Sequence, residues 1–426
     1  MGKFLLLLTN LAFPFAAVGV VLGFFFSPRR KVLKTLKEEL KERFALEKPG
    51  AVVQGVLWIH CASVGEVKSV GGLIKELKAF YKKEILLTTS TAAGKAEAQK
   101  NSDIAQVLLA PLDFYPFTRR FVRLVKPNHL LVVEREIWPN MLAACEKADV
   151  PVFLINARIS EKSTRAYQKV RPLFARLFER VALAAVQDEQ AKERYISLGV
   201  PEACIYVCGN IKYDTLNDKP ARLSEAEKLI KRLGWEEKPV LVCGSTHPLE
   251  EELILKALPA WAAQGIKVIF APRHLERKDE IRAALAKQPL AYGFLSDKKF
   301  PENCTILCAD TMGMLQSLYA VATLAFVGGS IAPRGAHNLL EPAILNKAVL
   351  FGKSFYNTPD TAQALLSCGG GVLVGETDLQ DTVLRLIKDT ATLENMAAKA
   401  RQAALGFKGA THKIMELINN YERTRA

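Results

Sequence analysis

Short apolar runs alternate with amphipathic, helix-like stretches along most of the chain. Each run is about the length of a buried strand, and the stretch after it has the helical spacing of apolar positions. This alternation predicts βαβ units and a mainly parallel sheet. The runs of the first series are Val56 to Ile59, Ile85 to Leu87, Val107 to Leu109, His129 to Val133, Val152 to Ile155, Leu183 to Val186 and Ile205 to Val207.

A charged segment, Asn217 to Lys238, ends this series, and a second series follows it. The two series predict an α/β fold of two doubly wound, Rossmann-like domains that face a cleft. Sheets of this kind bind ligands at the carboxyl ends of their strands, so we expect the active site there. The second series comprises Val240 to Cys243, Lys267 to Ala271, Thr305 to Leu307, Leu324 to Val327, Ala348 to Phe351 and Val372 to Val374.

The N-terminal stretch from Phe4 to Phe26 carries no charged residue. It exceeds the roughly 20 apolar residues that span a bilayer, and it lacks the small-residue cleavage site of a signal peptide. We therefore predict an uncleaved membrane helix. Basic residues follow the stretch at 29, 30, 31, 34 and 37, which places the rest of the chain in the cytoplasm.

These features predict three parts of the 426-residue chain. Residues 1–27 form the membrane anchor, residues 28–218 a first Rossmann-like domain, and residues 219–426 a second one closed by C-terminal helices. The helical pattern between residues 31 and 46 fits either an amphipathic connector on the membrane or an ordinary surface helix.

The net charge of +14 lies mainly in the first half of the chain, which indicates an anionic partner. No helix-turn-helix, RNP or zinc-finger pattern accompanies the charge, so anionic lipid is a better candidate than nucleic acid. The eight cysteines fit a reducing compartment and are interpreted as packing residues.

The stretch from Gly328 to Pro342 carries the most conspicuous candidate site. A strand end, a glycine-rich turn and a helix start occur together here, and such a junction favours a bound phosphate. Pro342 fits the first helical position, which leaves the Glu341 carboxylate at the helix mouth. The alternative is that Asn338 and Glu341 merely cap the helix.

Other chemically active residues also follow predicted strands. Glu66 stands at a helix start, where the helix dipole would keep its carboxylate ionised and suited to act as a general base, or where it is simply a favourable first-turn charge. Glu134 and Glu136 bracket an arginine and need cations or hydroxyls nearby. Lys212 is either a cation directed into the cleft or a solvated surface lysine.

In the second half, Arg273 follows a strand and can bind a phosphate bidentately. A further loop begins at Asp310 and contains Met312, Gly313 and Met314. The six histidines are scattered along the sequence and no Asp-x-Asp occurs, so we expect no metal site. Each loop alone is a weak signal, and their shared position after strands is the stronger one.

Taken together, these motifs resemble the 3-deoxy-D-manno-oct-2-ulosonic acid (Kdo) transferases of lipopolysaccharide assembly, which have the two-domain GT-B fold. The resemblance extends over nearly the whole chain. It is carried, in order, by Ser-Val-Gly-Glu at 63–66, Trp-Pro-Asn at 138–140, Asn-Ala-Arg-Ile-Ser at 156–160, Gly-Asn-x-Lys at 209–212, Ser-Thr-His at 245–247, Pro-Arg-His at 272–274 and His-Asn-x-x-Glu-Pro at 337–342.

The resemblance implies roles for these residues. Glu66 would take the proton from the acceptor hydroxyl, while Glu134 and Lys212 would support the transition state. The first domain would bind the acceptor and the second the CMP-sugar. The residues implied in CMP binding are Pro272, Arg273, Met312, Gly313, Met314, Asn338, Leu339, Leu340 and Glu341.

Two departures from the family pattern stand out. Met314 replaces a usual Glu and so removes a side-chain acceptor near the cytidine, and Ala336 replaces a usual Gly.

The expected function is therefore that of an inverting glycosyltransferase. It would move Kdo from CMP-Kdo to a lipid A precursor at the cytoplasmic face of the inner membrane, beside anionic lipids and without metal, cofactor or nucleic acid. The alternatives are a GT-B transferase that uses a UDP-sugar and a membrane-tethered nucleotide- or sugar-binding protein. A dehydrogenase is disfavoured, since no Gly-x-Gly-x-x-Gly follows the first strand.

Overall fold

The computed structural model describes residues 39–47, 51–297 and 299–425. They form two compact units, of which the first runs to Thr215 and resumes at Lys408, and the second extends from Leu216 to Phe407. The predicted anchor and the start of the amphipathic stretch lie outside the described residues. Within the described part of the chain, no helix combines the length and apolarity needed to cross a membrane.

The first unit is built on one parallel sheet of seven strands, in the order β3-β2-β1-β4-β5-β6-β7. All of the strands predicted in this half are present, and the prediction of a parallel sheet is confirmed. The strands are β1 Leu57–Cys61, β2 Ile85–Thr89, β3 Gln106–Leu109, β4 His129–Val133, β5 Val152–Ala157, β6 Val181–Val186 and β7 Ile205–Val207.

Both faces of this sheet are covered, which explains why its strands read as continuous apolar runs. Successive residues of β1 point to opposite faces, so that Trp58 packs in one hydrophobic layer while Leu57 and Ile59 pack in the other. The helices of this unit are α1 Val64–Ser69, α2 Gly71–Tyr81, α3 Ala92–Ala98, α4 Tyr115–Val125, α5 Pro139–Lys147, α6 Glu161–Gln168, α7 Arg171–Phe178 and α8 Glu189–Leu198, with 3₁₀ turns at Glu202–Cys204 and Ile211–Thr215.

The second unit repeats this plan with the strand order β10-β11-β9-β8-β12-β13-β14, again all parallel. Only β10 was not predicted. It is three residues long and centred on Gly293, where an added Cβ would lie 2.9 Å from the Phe300 ring. The strands are β8 Val240–Thr246, β9 Lys267–Pro272, β10 Tyr292–Phe294, β11 Ile306–Cys308, β12 Leu324–Val327, β13 Val349–Phe351 and β14 Gly371–Leu373.

Helices cover the sheet of the second unit as they cover that of the first. They are α9 Leu223–Arg232, α10 Pro248–Ala263, α11 Lys278–Leu285, α12 Leu315–Ala320, α13 Leu340–Ile344, α14 Pro359–Cys368, α15 Leu379–Lys388 and α16 Thr390–Gly406, with a 3₁₀ turn at Leu275–Arg277.

Each sheet has a topological switch point, where the strand order reverses beside its first strand. Loops diverge there and leave a crevice at the carboxyl ends of the strands. In the first unit the switch lies between β1 and β4, directly before Glu66 and Glu134. In the second it lies between β8 and β12, directly before His247 and the Gly328 loop. The fold thus concentrates candidate chemistry at these two places.

The last helix, α17 Ala410–Arg425, belongs to the first unit rather than to the second domain as predicted. Ile414 and Ile418 are fully buried in the first unit's core. The Asp214 carboxylate accepts hydrogen bonds from the backbone N–H groups of residues 409, 410 and 411, at 2.6, 3.3 and 2.6 Å. The sequence could not reveal this pairing, because it joins segments far apart in the chain.

We expect Asp214→Ala to lower the free energy of unfolding of the first unit by about 1 to 2 kcal/mol, because it removes the acceptor at the start of α17. Denaturant unfolding followed by far-UV circular dichroism measures this loss. The control is Asp218→Ala, which breaks only an exposed ion pair with Arg401 and should cost at most about 0.5 kcal/mol. Equal costs for both variants would contradict the role of Asp214.

Candidate active site

Glu66 lies in the first turn of α1, directly beyond β1, with its side chain folded back over the helix start. One carboxylate oxygen accepts from the backbone N–H of Ala62 at 2.6 Å, and the other accepts from the Ser63 hydroxyl at 3.2 Å. Ser63 is also the N-cap of this helix. The residue is only 6% exposed, so the carboxylate is held in one position and largely removed from water.

Burial raises the pKa of Glu66, and the nearby carboxylates of Glu134 and Glu136 raise it further, against the opposing effect of the bonds from Ala62 and Ser63. Burial, rather than the helix dipole, therefore has the largest effect on the pKa of this carboxyl group. Desolvation outweighs the favourable helix start. A carboxylate with a raised pKa is a better proton acceptor than an exposed one.

Glu134 follows β4 with a positive φ of 59°, an uncommon backbone conformation for a residue with a side chain. Its oxygen Oε2 accepts from both Nε and Nη2 of Arg158, at 2.9 and 2.8 Å. The arginine comes from the loop after the neighbouring strand β5 and supplies the cation that the sequence predicted here. The pairing also fixes the direction of the Glu134 side chain.

Glu136 ends a chain of buried polar groups that begins at Trp58. The indole Nε1 of Trp58 donates to Oγ1 of Thr88 at 2.8 Å, which leaves the threonine proton for Nδ1 of His60 at 3.0 Å. The network thus assigns the His60 proton to Nε2, which faces Oε2 of Glu136 at 3.9 Å. His60 lowers the pKa of Glu136, with help from the bond that Trp138 donates at 2.6 Å.

Lys212 is exposed and lies in the 3₁₀ turn Ile211–Thr215, which packs against the helix that carries Glu66. Its backbone N–H donates to Oδ1 of Asn210 at 3.0 Å, and Nζ lies 4.9 Å from the centre of the Tyr213 ring. Oδ1 of Asn156 accepts from the backbone of Ile211 at 3.1 Å. The three predicted catalytic residues therefore belong to the same end of the first unit's sheet.

In the second unit, the glycine-rich turn after β12 already surrounds an internal anion. Glu250, which is fully buried, accepts backbone hydrogen bonds from residues 329, 330, 331 and 332 at 2.8, 2.9, 2.9 and 3.3 Å. It also accepts from the backbone N–H of His247 at 3.1 Å. These four backbone donors, in the stretch where the sequence predicted a bound phosphate, are therefore bound to the protein's own carboxylate.

Three of the six histidines, scattered in the sequence, meet beside this turn. The rings of His247 and His337 lie parallel and end to end, with their centres 5.5 Å apart, 6° between their planes and their Nε2 atoms 3.3 Å apart. The ring of His274 stands edge-on to His247 at 5.6 Å. Ser-Thr-His, Pro-Arg-His and the His337 motif each supply one member, and the sequence offered no signal that they meet.

Positive charge surrounds this histidine cluster. Burial, followed by Arg273 and the other two histidines, lowers the pKa of His337 to about 4. The pKa of His247 is also lowered, by burial first and then by His274, Arg334 and Arg273, while Glu250 opposes the shift. Both imidazoles are therefore neutral near pH 7. Arg273 and Arg334 are exposed, so the predicted phosphate-binding arginine lies within an array of cations.

The remaining predicted CMP residues lie at a helix start and in a neighbouring loop. Helix α13 begins at Leu340 rather than at Pro342, so Glu341 sits in the first turn and not ahead of it. Nδ2 of Asn338 donates to Oε1 of Glu341 at 3.2 Å, and its Oδ1 accepts from the backbone of Leu340. Leu339 is buried, as is Pro272 at the end of β9. Asn338 and Glu341 can therefore cap the helix and still offer oxygen atoms to a ligand.

The loop Met312–Gly313–Met314 precedes α12, which packs against α13. Met312 is 78% exposed, whereas Met314 is buried and lines a pocket of about 400 Å³ together with Leu229 and Phe300. Gly313 has a φ of 84°, which favours glycine. An apolar side chain at position 314 therefore fits its buried surroundings.

Among residues 39–47, 51–297 and 299–425, no group of three or more His, Cys, Asp or Glu side chains has an arrangement that could hold a metal ion.

Residues 38–215 match the family described as 3-deoxy-D-manno-octulosonic-acid transferase (kdotransferase). A 3-deoxy-D-manno-octulosonic acid transferase of Haemophilus influenzae is 31% identical over 376 residues, which are 86% of this chain and 87% of that protein.

Solved structures are also similar to this chain. The C-terminal CMP-Kdo binding domain of WaaA from Acinetobacter baumannii is 30% identical, with a TM-score of 0.39 over 43% of this chain and 97% of that chain. MurG of Acinetobacter baumannii has a TM-score of 0.53 at 15% identity and covers 86% of this chain and 99% of that chain. The second likeness concerns the fold alone, which is of the GT-B type. Since the Haemophilus relative matches over most of both sequences, the chain belongs to the family of 3-deoxy-D-manno-octulosonic acid transferases, which are glycosyltransferases.

Proposed function

We propose that this enzyme transfers Kdo from CMP-Kdo to a hydroxyl group of a lipid A precursor, with inversion at the anomeric carbon. The observation that carries the proposal is the buried Glu66 carboxylate, with its raised pKa, at the switch point of the first sheet. Membership of the Kdo transferase family supplies the sugar that is transferred.

In this proposal, Glu66 takes the proton from the acceptor hydroxyl as the oxygen attacks the sugar. Ala62 and Ser63 hold the carboxylate still, so little reorganisation is needed at the moment of transfer. The charge of Glu134 is already paired with that of Arg158, so Glu134 is a weaker candidate for the base than Glu66. Its role, with Lys212, is to stabilise charge around the reacting groups.

The donor's nucleotide would bind in the second unit. Arg273 supports this assignment because it is exposed and its planar guanidinium matches a phosphate. Asn338 and Glu341, already hydrogen-bonded to each other, offer oxygen acceptors for ribose hydroxyls, and the loop 312–314 lies on the neighbouring helix start. We propose that cations of the protein replace a metal ion at the phosphate.

The membrane parts of the proposal rest on the sequence. We propose that the apolar stretch within residues 1–27 anchors the enzyme in the inner membrane and that the basic residues after it contact anionic headgroups. Both catalytic units would then stand on the cytoplasmic side, where a lipid acceptor is held close to the enzyme.

The direct test is incubation of the purified full-length protein with CMP-Kdo and a tetra-acylated lipid A precursor in detergent, with EDTA present. We expect mass spectrometry to find the precursor heavier by whole Kdo residues and free CMP in matching amount. Product with a UDP-sugar but none with CMP-Kdo would overturn the proposed donor. Activity that EDTA abolishes and Mg²⁺ restores would overturn the metal-free proposal.

We expect Glu66→Gln to lower turnover by about 10²- to 10⁴-fold, the usual contribution of a positioned proton acceptor. The amide oxygen can still accept from Ala62, and its NH₂ group can donate to Ser63, so the fold and the affinity for CMP should be unchanged. Steady-state transfer rates and CMP titrations of the same samples separate the two effects.

The matched control for this variant is Glu189→Gln. Glu189 also lies in the first turn of a helix that follows a strand of the same sheet, but it is exposed. Its loss should change turnover less than twofold. Near-normal turnover of Glu66→Gln, or an equal loss in both variants, would contradict the assignment of Glu66 as base.

We expect Arg273→Lys to weaken CMP binding by about tenfold and to slow transfer as well, since lysine keeps the charge but loses the bidentate geometry. Isothermal titration with CMP measures the first effect. Arg282→Lys is the control, because Arg282 lies in the same unit but pairs with Asp297. Unchanged CMP affinity in Arg273→Lys would remove Arg273 from the donor site.

A further inference from the structure

The histidine cluster of the second unit contains two imidazole nitrogens that face each other. Nε2 of His247 and Nε2 of His337 are 3.3 Å apart, within hydrogen-bond distance. Two ring nitrogens this close can hold only one proton between them, because two N–H groups would point at each other. The neutral pair therefore has a single N–H in its centre. An added proton must occupy an Nδ1, the outer nitrogen of one ring, and it makes the pair a cation.

The surroundings hold this pair rigidly. Glu250 binds the backbone of His247, and the backbone N–H of His337 donates to the carbonyl of Gly328 at 3.2 Å. A Cβ added to Gly329 would lie 3.1 Å from the His337 ring, so the glycine lets the chain pass close to it. Both histidines are thus fixed by the same turn that wraps the buried carboxylate.

The charges that face the pair are predominantly positive. Arg273 and His274 approach from the loop after β9, and Arg334 approaches from the loop after β12. Glu250, on α10, is the acidic group that acts on His247, and its carboxylate is saturated by five backbone N–H groups. His274 also pairs with exposed Glu276 at 3.0 Å. Such an array favours an oxyanion, and an oxyanion would in turn make protonation of the pair favourable.

We propose that His247 and His337 together bind the phosphate of the nucleotide donor, take up one proton on an outer ring nitrogen, Nδ1, as it binds, and pass that proton to the departing CMP. The inference rests on the proposed function, since it places the phosphate beside Arg273. Neither histidine was among the residues that the sequence indicated for CMP binding.

The proposed step is balanced. The bond between the anomeric carbon of Kdo and the phosphate oxygen breaks, and its electron pair stays on that oxygen. The added proton then moves from Nδ1 to the phosphate of CMP, which returns the pair to its neutral form, while the proton of the acceptor hydroxyl goes to Glu66. Solvent afterwards removes the proton from Glu66 and returns one to the next donor complex, so no oxidant, reductant or metal is required.

The test is isothermal titration of the full-length protein with CMP at pH 7.5 in two buffers of different ionisation enthalpy. The difference between the buffers gives the number of protons taken up on binding. For the unmodified protein we expect uptake approaching one proton and an affinity that rises as the pH falls from 8 to 6.5. Cytidine, which lacks the phosphate, should bind with no uptake. Free Kdo should cause none either, and uptake with Kdo alone would assign the cluster to the sugar carboxylate instead.

His337→Gln and His247→Gln keep a hydrogen-bond donor but cannot carry the added proton. Each should abolish proton uptake and weaken CMP about 10- to 100-fold, the value of a hydrogen bond to a charged group, while leaving cytidine affinity unchanged. His412→Gln, an exposed histidine of the other unit, is the control and should match the unmodified protein.

CMP binding without proton uptake in the unmodified protein would overturn the inference, and that measurement does not depend on any variant folding. Equal losses of CMP and cytidine affinity in the histidine variants would also overturn it, by showing a purely structural role. Failure of the unmodified protein to bind CMP at all would instead contradict the proposed function. The two failures are therefore distinguishable.

Discussion

The second unit is organised around one buried charge. The Glu250 carboxylate would be costly to bury alone, and five backbone N–H groups offset that cost. Those bonds tie the start of α10 to the turn after β12, so two loops that diverge at the switch point are held at a fixed spacing. The approach of His247 to His337 depends on that spacing, as does the path of the chain into Asn338. A glycine-rich turn that resembles a ligand cradle is, in this protein, a structural clamp.

In the first unit, three neighbouring carboxylates each have different hydrogen-bond and ion-pair partners. Glu134 is paired with an arginine, and Glu136 accepts from an indole N–H and lies 3.9 Å from a histidine nitrogen. Glu66 accepts from one backbone N–H and one hydroxyl. Glu66 is therefore the member of the group whose charged form is least compensated, and its pKa is raised while that of Glu136 is lowered. These neighbouring side chains are all glutamates, so their pKa values differ because the groups around them differ.

The strands were predictable because a sheet covered on both faces needs a continuous apolar run, and such runs are local. Strand β10 was not predicted because its three residues, Tyr292, Gly293 and Phe294, are too few to form a recognisable apolar run. Glu66, Glu134, Lys212 and Arg273 could be singled out as candidates since each directly follows a predicted strand. The histidine cluster and the Glu250 clamp could not, because both depend on which loops adjoin after the chain has folded. The direction of the pKa shift of Glu66 could not be predicted without knowing that Glu66 is buried. That the last helix belongs to the first unit could not be predicted without the contacts of Asp214, Ile414 and Ile418.

The return of the last helix to the first unit has a consequence for how the chain is made. The second unit is an insertion between Thr215 and Lys408, and the helix that covers the apolar surface under Ile414 and Ile418 is synthesised only after that unit. Until then, the nascent first unit carries an open hydrophobic face, although its whole sheet has already been synthesised. Its folding is therefore completed only after the whole second unit has been synthesised.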